Sequence, residues 1–224
     1  MSTRVVIGEV RFSYAHLLKP RQDNYSGEPK YSATVLIPKS NTAALASVQN
    51  AIAAAKDVAQ MSKWGGKIPP ALQQSLLPLK DGDTYTDKNG LLLGEECRGM
   101  WVLNASTGVD RPPKVVDTSY QPILDPTAIY SGMWGYIALN FAGYNSSGNM
   151  GVGAYISTNV MKTRDGEPLG NAAPAPADDF AGIADDFAPA SGTAQNMANF
   201  GFGMPSTQPQ TPTAPDPNLN PWKV

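Results

Sequence analysis

The chain has 224 residues, 42% of them hydrophobic, and a formal net charge of −2, which suits one large domain or two small ones with a true core. A single cysteine, Cys97, and a single histidine, His16, leave no intrachain disulfide, no thiolate metal site and no histidine-rich metal cluster. No run approaches the roughly 18 apolar residues of a membrane span, and MSTRVVIGEVRF lacks a secretory pattern, so a soluble cytoplasmic protein is expected.

Residues 4–12 alternate, with Val6, Val10 and Phe12 on one face and Glu9 and Arg11 on the other. This predicts a half-buried strand. The stretch 17–31, LLKPRQDNYSGEPKY, reads as a loop that places Lys19, Arg21 and Lys30 around Tyr25 and Tyr31. KYSATVLIP, 30–38, is a second β-branched run. From Asn41 to Gln60 the chain is rich in Ala and free of Gly and Pro. Leu45, Val48, Ile52, Ala55 and Ala59 form one apolar stripe there, so a helix is predicted. Asn41 or Ser40 caps it and Gly65-Gly66 ends it. A Pro-bounded piece at 69–78 reads as a second, short helix. Further strands are predicted at 99–106, 132–141 and 149–162, with YNSSGN (144–149) as a hairpin loop between the last two.

Composition changes near Gly170. Residues 1–170 carry 16 Lys+Arg against 14 Asp+Glu, a balance of +2, whereas 171–224 carry one Lys against five Asp, a balance of −4. Nine of the 20 prolines fall in that last segment. Such a stretch buries too little apolar surface to offset ~1–2 kcal/mol of chain entropy per residue. The expected organisation is therefore a folded domain over 1–170 and a disordered Pro/Ala/Asn-rich acidic tail over 171–224. The tail says Ala-Asp-Asp-Phe-Ala twice, at 177–181 and 184–188. Each copy sets paired carboxylates, Asp178 and Asp179 or Asp185 and Asp186, beside a lone ring, Phe180 or Phe187.

Strands, a helix, then strands make a mostly β fold with one main helix. A five-stranded Greek-key barrel with its helix between the third and fourth strands is the OB plan. A sandwich carrying one helix fits the same periodicity.

The inventory argues against a catalyst. Nucleophilic catalysis usually needs a base beside the nucleophile, and His16, in SYAHLLKP after a strand, reads as a structural or surface residue. DGDTYTDKNG (81–90) puts Tyr85 and Thr86 where an EF-hand loop needs an oxygen ligand and Gly. A Mg²⁺ nuclease site from Asp81, Asp83 and Glu95 or Glu96 is the enzymatic alternative, and a polar turn the plainer one. No phosphate-cradling Gly loop is present. Neither cofactor nor metal is expected.

In 132–141, Met133, Ile137, Leu139 and Phe141 form a core face, so Trp134 and Tyr136 point away from it. In 149–162, Met150, Val152, Ala154, Ile156 and Val160 are core-like and Tyr155 shares the other face with Gly151 and Gly153. If the two runs pair, these rings lie on one sheet surface among small residues, as a stacking platform for bases. The competing reading packs them under the helix or a neighbouring subunit. Lys19, Arg21 and Lys30 in the 17–31 stretch, and Arg111, Lys114, Lys162 and Arg164 near other strand ends, interleaved with Tyr and Trp, are what single-strand binding requires.

VRFSYAHLLKP, then PKYSATVLIPKS leading into the Ala-rich helix, resembles a family of tailed-bacteriophage single-stranded-DNA-binding proteins that act in phage genome replication. DGD (81–83), RPPKVVD (111–117), IYSGMWGYIALNFAGYN (129–145) and RDGEPLG (164–170) continue the likeness, which covers residues 4–170. The resemblance implies an elaborated OB barrel, sequence-independent binding of single-stranded DNA, no catalysis, and an acidic flexible C-terminus. The cytoplasm of the infected bacterial host is the expected location, with no membrane partner; the repeated acidic-Phe units are expected either to compete for the DNA groove or to bind phage replication proteins. The DNA-binding candidates are then Lys19, Arg21, Lys30, Tyr31, Arg111, Trp134, Tyr136, Tyr155, Lys162 and Arg164. The chain departs from the pattern in ending NPWKV, with its acidic-Phe units internal. A β-rich virion or scaffold component is the remaining alternative.

Overall fold

The computed structural model describes residues 2–23, 27–87, 89–146 and 148–170. The expected tail, 171–224, lies outside the described residues.

The chain forms β1 (Arg4–Gln22), β2 (Pro29–Pro38), α1 (Thr42–Ser62), a single-turn α2 (Pro70–Gln73), β3 (Leu79–Asp81), β4 (Met100–Gly108), β5 (Lys114–Val116), β6 (Trp134–Ser146) and β7 (Asn149–Arg164). One sheet runs β3-β4-β2-β1-β6-β7-β5, and a further pairing of β4 with β7 closes it. Five strands thus make a barrel in the cyclic order β1-β2-β4-β7-β6. Its neighbours are antiparallel except β4 and β7, which pair parallel at Ala105 with Ala154 and Ser106 with Tyr155. Closure removes the barrel's free edges. It also decides for the OB plan over the open sandwich.

The helix does not sit where the plan put it. It falls between the second and third barrel strands, β2 and β4, rather than between the third and fourth. Its start is as expected: the Asn41 side chain accepts from the Ala44 N–H at 3.1 Å. Ala44, Val48, Ala51, Ile52, Ala55 and Ala59 face inward. Small residues let the helix lie close on β6; a Cβ at Gly143 would collide with the Ala59 methyl. Past Ser62 the turn carries Trp64 down onto the strand, where its indole N–H donates to the Tyr144 carbonyl at 3.0 Å.

Two expectations about parity changed. Val6 is 57% exposed and Ile7 takes its place in the core. Ile7 pairs with Ile137 but Val10 with Gly135, so β1 holds one extra residue and the inward parity switches between them. Met150 is also exposed, because the β6–β7 hairpin runs on past the barrel there. The remaining inward set is as expected, with Phe12, Phe141, Ile137, Leu139 and Val160 fully buried. Each such side chain contributes about 1.5–3 kcal/mol of burial.

The predicted loop at 17–31 is mostly strand. β1 continues to Gln22 and pairs back, Arg21 with Lys30 and Gln22 with Pro29. Lys19 and Arg21 therefore ride on a hairpin arm. Sequence read this as a loop because Pro20 and the charges hide its period, and the register slips twice, between Ser13 and His16 and between His16 and Arg21.

Candidate nucleic-acid interface

Register places a belt of outward residues around the barrel. His16 pairs with Ser32, Ser32 with Ser106, Ser106 with Tyr155, Tyr155 with Asn140, and Asn140 with Arg4. Strand alternation turns the neighbours Ala33, Ala105, Ala154 and Leu139 inward. The belt crosses two depressions that share Lys30 and Ser106. One, of about 330 Å³, holds Tyr14, His16, Arg21, Thr34 and Asn104. The other, of about 450 Å³, holds Lys63, Arg111, Asn140, Tyr155 and Ser157. Together they make one groove over β2, β4 and β7, with four cations (Arg21, Lys30, Lys63, Arg111) against a single lining carboxylate, Asp23.

The ring in this groove is held as a platform. Tyr155 is 40% exposed, and a Cβ built on Gly153 would meet its ring atoms at about 3 Å. The tyrosine therefore lies along its own strand over the bare glycine, two residues back on the same face. The ring is thereby held against the strand and stays partly exposed to solvent. Tyr144 lies over its cross-strand partner Gly151, and Tyr136 over Gly8, in the same way. A flat, solvent-exposed ring is what stacking on a base needs.

The cations are positioned by short local contacts. Lys30 Nζ lies 2.9 Å from Asp23 Oδ2, which ties the two sides of the hairpin arm together. Arg111 contacts Asp110 at 3.3 Å with both side chains largely in solvent, and such a pair is weak and easily exchanged for a phosphate. His16 lies beside Arg21. Burial, and then the Arg21 charge, lower its pKa from the ordinary 6.5. Its buried Nε2 has no hydrogen-bond partner among the described residues.

Of the ten residues expected to touch DNA, the groove gathers Arg21, Lys30, Arg111 and Tyr155. Lys19 is exposed on the arm, and Tyr31 is half-buried opposite Thr107. Tyr25 lies outside the described residues. Trp134, Lys162 and Arg164 stand elsewhere. The Arg164 guanidinium covers the Trp134 ring at 4.3 Å and pairs with Glu9 at 3.1 Å. Lys162 donates to the Ala128 carbonyl at 2.8 Å, meets Asp165 at 2.6 Å and sits over the Tyr130 ring. Tyr136 lines a separate cleft. The tail residues Asp178, Asp179, Phe180, Asp185, Asp186 and Phe187 lie outside the described residues.

Sequence reasoning missed Tyr14 and Lys63, and it dismissed His16. Tyr14 is 61% exposed, with φ +48, thrown outward at the first register slip of β1. Its signal was a tyrosine one residue out of step, next to Ser13. Lys63 follows the last residue of α1, and no local pattern marks it.

The carboxylates offered for a metal are engaged otherwise. Lys39 Nζ sits between Asp81 and Asp83, 2.6 Å from each. These bonds raise the lysine pKa and lower both aspartate pKa values. An ammonium thus fills the position a divalent ion would take, and the turn is a structural clasp. Glu95 pairs with Arg98 at 2.8 Å. Among the described residues no three His, Cys, Asp or Glu side chains gather as a metal site.

A closed barrel in this strand order, with a cationic tyrosine-bearing groove on its outer face, defines an OB-fold protein of the nucleic-acid-binding kind. The family model described as Enterobacter phage Enc34, ssDNA-binding protein, matches residues 3–188. The chain belongs to that family. The match runs past the last described residue and through both Ala-Asp-Asp-Phe-Ala copies. The solved single-stranded DNA-binding protein from bacteriophage Enc34, in complex with ssDNA, is 30% identical, with 75% of this chain and 90% of that chain covered and a TM-score of 0.60. A C-terminal truncation of the same phage protein gives 30% identity, 75% and 89% coverage and a TM-score of 0.58. The putative protein p50 of Acyrthosiphon pisum secondary endosymbiont phage 1 is 28% identical over 184 residues, 79% of this chain and 92% of the relative. No helix among the described residues is long and apolar enough to cross a membrane.

Proposed function

We propose that this protein is a non-enzymatic, sequence-independent binder of single-stranded DNA in phage replication and recombination, acting in the cytoplasm of the infected host. The observation that carries this is the exposed Tyr155, laid on Gly153 in a depression that it lines together with Lys30 and Arg111. The ring takes a base, whose identity is immaterial because every base has a π face. Arg21, Lys30, Lys63 and Arg111 take the phosphates on either side, and Tyr14 offers a second ring further along. The family membership and the Enc34 protein solved with ssDNA support the same reading.

Titration of labelled oligo-dT tests it. Affinity is expected to fall with salt at a log–log slope of roughly −0.7 per phosphate contacted. A salt-independent affinity would count against the groove. Incubation of labelled strands with Mg²⁺ or Mn²⁺ is expected to leave them intact, and cleavage would restore the nuclease alternative.

The domain organisation proposed is a binding domain over 1–170 and an acidic tail over 171–224. A tethered tail has an effective concentration on the order of mM near its own groove. Its aspartates imitate phosphates and its phenylalanines imitate bases, so it screens out weak ligands such as duplex DNA. Removal of 171–224 is expected to tighten DNA binding, for duplex more than for single strands. Equal affinities at low salt would end this part of the proposal and favour recruitment of replication proteins by the tail.

A further inference from the structure

Exposed apolar side chains cluster on the side of the barrel away from β2. Val6, Tyr120 and Tyr136 are 57%, 75% and 40% exposed. They meet around a cleft of about 280 Å³ between the start of β1, β5 and the β6–β7 pair. Val116, Ala138 and Met161 line it further, and its lining contains no carboxylate. An apolar cavity of about 150 Å³ already admits benzene, so a phenyl ring fits.

Two cations stand at this cleft, Arg4 and Lys114. Among the described residues neither forms an ion pair. Arg4 Nε donates to Ser157 Oγ at 3.4 Å. Tyr120 is held out over the opening by a clamped turn. Its backbone has φ +61, costly for an aromatic residue. The turn is fixed by the Asp117 carboxylate, which accepts from the Ser119 and Gln121 N–H groups at 2.8 and 2.9 Å. A strained residue over-determined by its surroundings is where a binding contact is expected.

The ligand this chemistry recognises is a hydrophobic ring with carboxylates beside it. The slot between Val6, Val116, Ala138 and Met161 takes the ring, and Arg4 and Lys114 stand beside it for the carboxylates. The polypeptide itself carries the complementary group twice, as Asp178-Asp179-Phe180 and Asp185-Asp186-Phe187. Each chain thus has two pegs, so a peg remains for another molecule whatever its own chain does with the first.

We propose that the Val6–Tyr120–Tyr136 cleft is a receptor for the Asp-Asp-Phe peg of a second copy of this chain. The ring enters the slot and the carboxylates pair with Arg4 and Lys114. One peg screens the groove and the other links neighbours arrayed on a strand. The link depends on the single-strand reading only for what brings the copies together.

The test uses full-length protein with Phe180→Ala and Phe187→Ala, so that its own pegs are silent, and a fluorescent peptide of residues 177–183. With the groove saturated by oligo-dT, the peptide is expected to bind saturably. Its affinity is expected to drop at least ten-fold on Tyr120→Ala and on Lys114→Glu, both at exposed positions. No saturable binding under these conditions, or an affinity in either variant equal to that of the parent, would overturn the proposal. If oligo-dT itself fails to bind, the single-strand reading falls, and the same titration without DNA still decides the cleft.

Discussion

The groove over β2, β4 and β7 and the cleft beside β5 are built alike and surrounded differently. In each, a tyrosine lies flat on a glycine, Tyr155 on Gly153 and Tyr136 on Gly8, and stays partly exposed. Around Tyr155 the lining is Ser, Asn, Lys and Arg; around Tyr136 it is Val, Ala and Met. An exposed ring is therefore only half a site. Spaced cations beside a polar floor suit a running phosphate chain, whereas two cations over an apolar slot suit a single peg.

The largest expected effect is that of Tyr155→Ala on oligo-dT affinity, a loss of ~1–3 kcal/mol. Tyr136→Ala is expected to stay within about 0.5 kcal/mol, as an exposed substitution away from the ligand. Equal losses at both rings would erase the distinction between groove and cleft. Next comes the pair Lys30→Ala and Arg111→Ala. Together they are expected to flatten the salt dependence by roughly 1.4 in the log–log slope, about 0.7 for each phosphate that is no longer neutralised. An unchanged slope would move the phosphate path elsewhere.

A subtler change is Gly153→Val, which places a side chain under the Tyr155 ring. The ring must tilt, and oligo-dT affinity is expected to fall by less than in Tyr155→Ala while the melting temperature stays close to that of the parent. The smallest effect concerns His16. Its folded pKa lies below 6.5, so the unfolded chain takes the proton first. Its contribution to stability is present above pH 6.5 and is lost as pH falls through the folded value. A phosphate at Arg21 offsets the repulsion and favours the charged imidazole. Oligo-dT affinity is therefore expected to rise on acidification below pH 6.5, by less in His16→Gln. A parallel pH profile in both proteins would place His16 outside the contact.

The sequence alone determined the β character, the helix with a cap at Ser40 or Asn41, the β6–β7 hairpin and the outward set Trp134, Tyr136 and Tyr155. These follow from periods of two and of three to four residues, which are local properties of the chain. It also marked the change of composition at Gly170 and the doubled peg. It did not reveal the extra residue that swaps Val6 for Ile7, nor the hairpin arm under Lys19 and Arg21. A register slip leaves no periodic trace in one strand when it is fixed by the partner strand. Nor did it place α1 between the second and third barrel strands.

Which outward residues meet was decided by the tertiary structure. Barrel curvature turns positions on one nominal face in different directions, so Tyr155 joins Lys30 and Arg111 while Trp134 goes to Arg164 and Tyr136 to Lys114. Closure of β4 on β7 set Ser106 beside Tyr155 across nearly fifty residues of chain. Lys39 reached Asp81 and Asp83 only because β2 and β3 flank the same strand, β4. A linear pattern carries the direction of each side chain, but the distances between them arise only when the strands close.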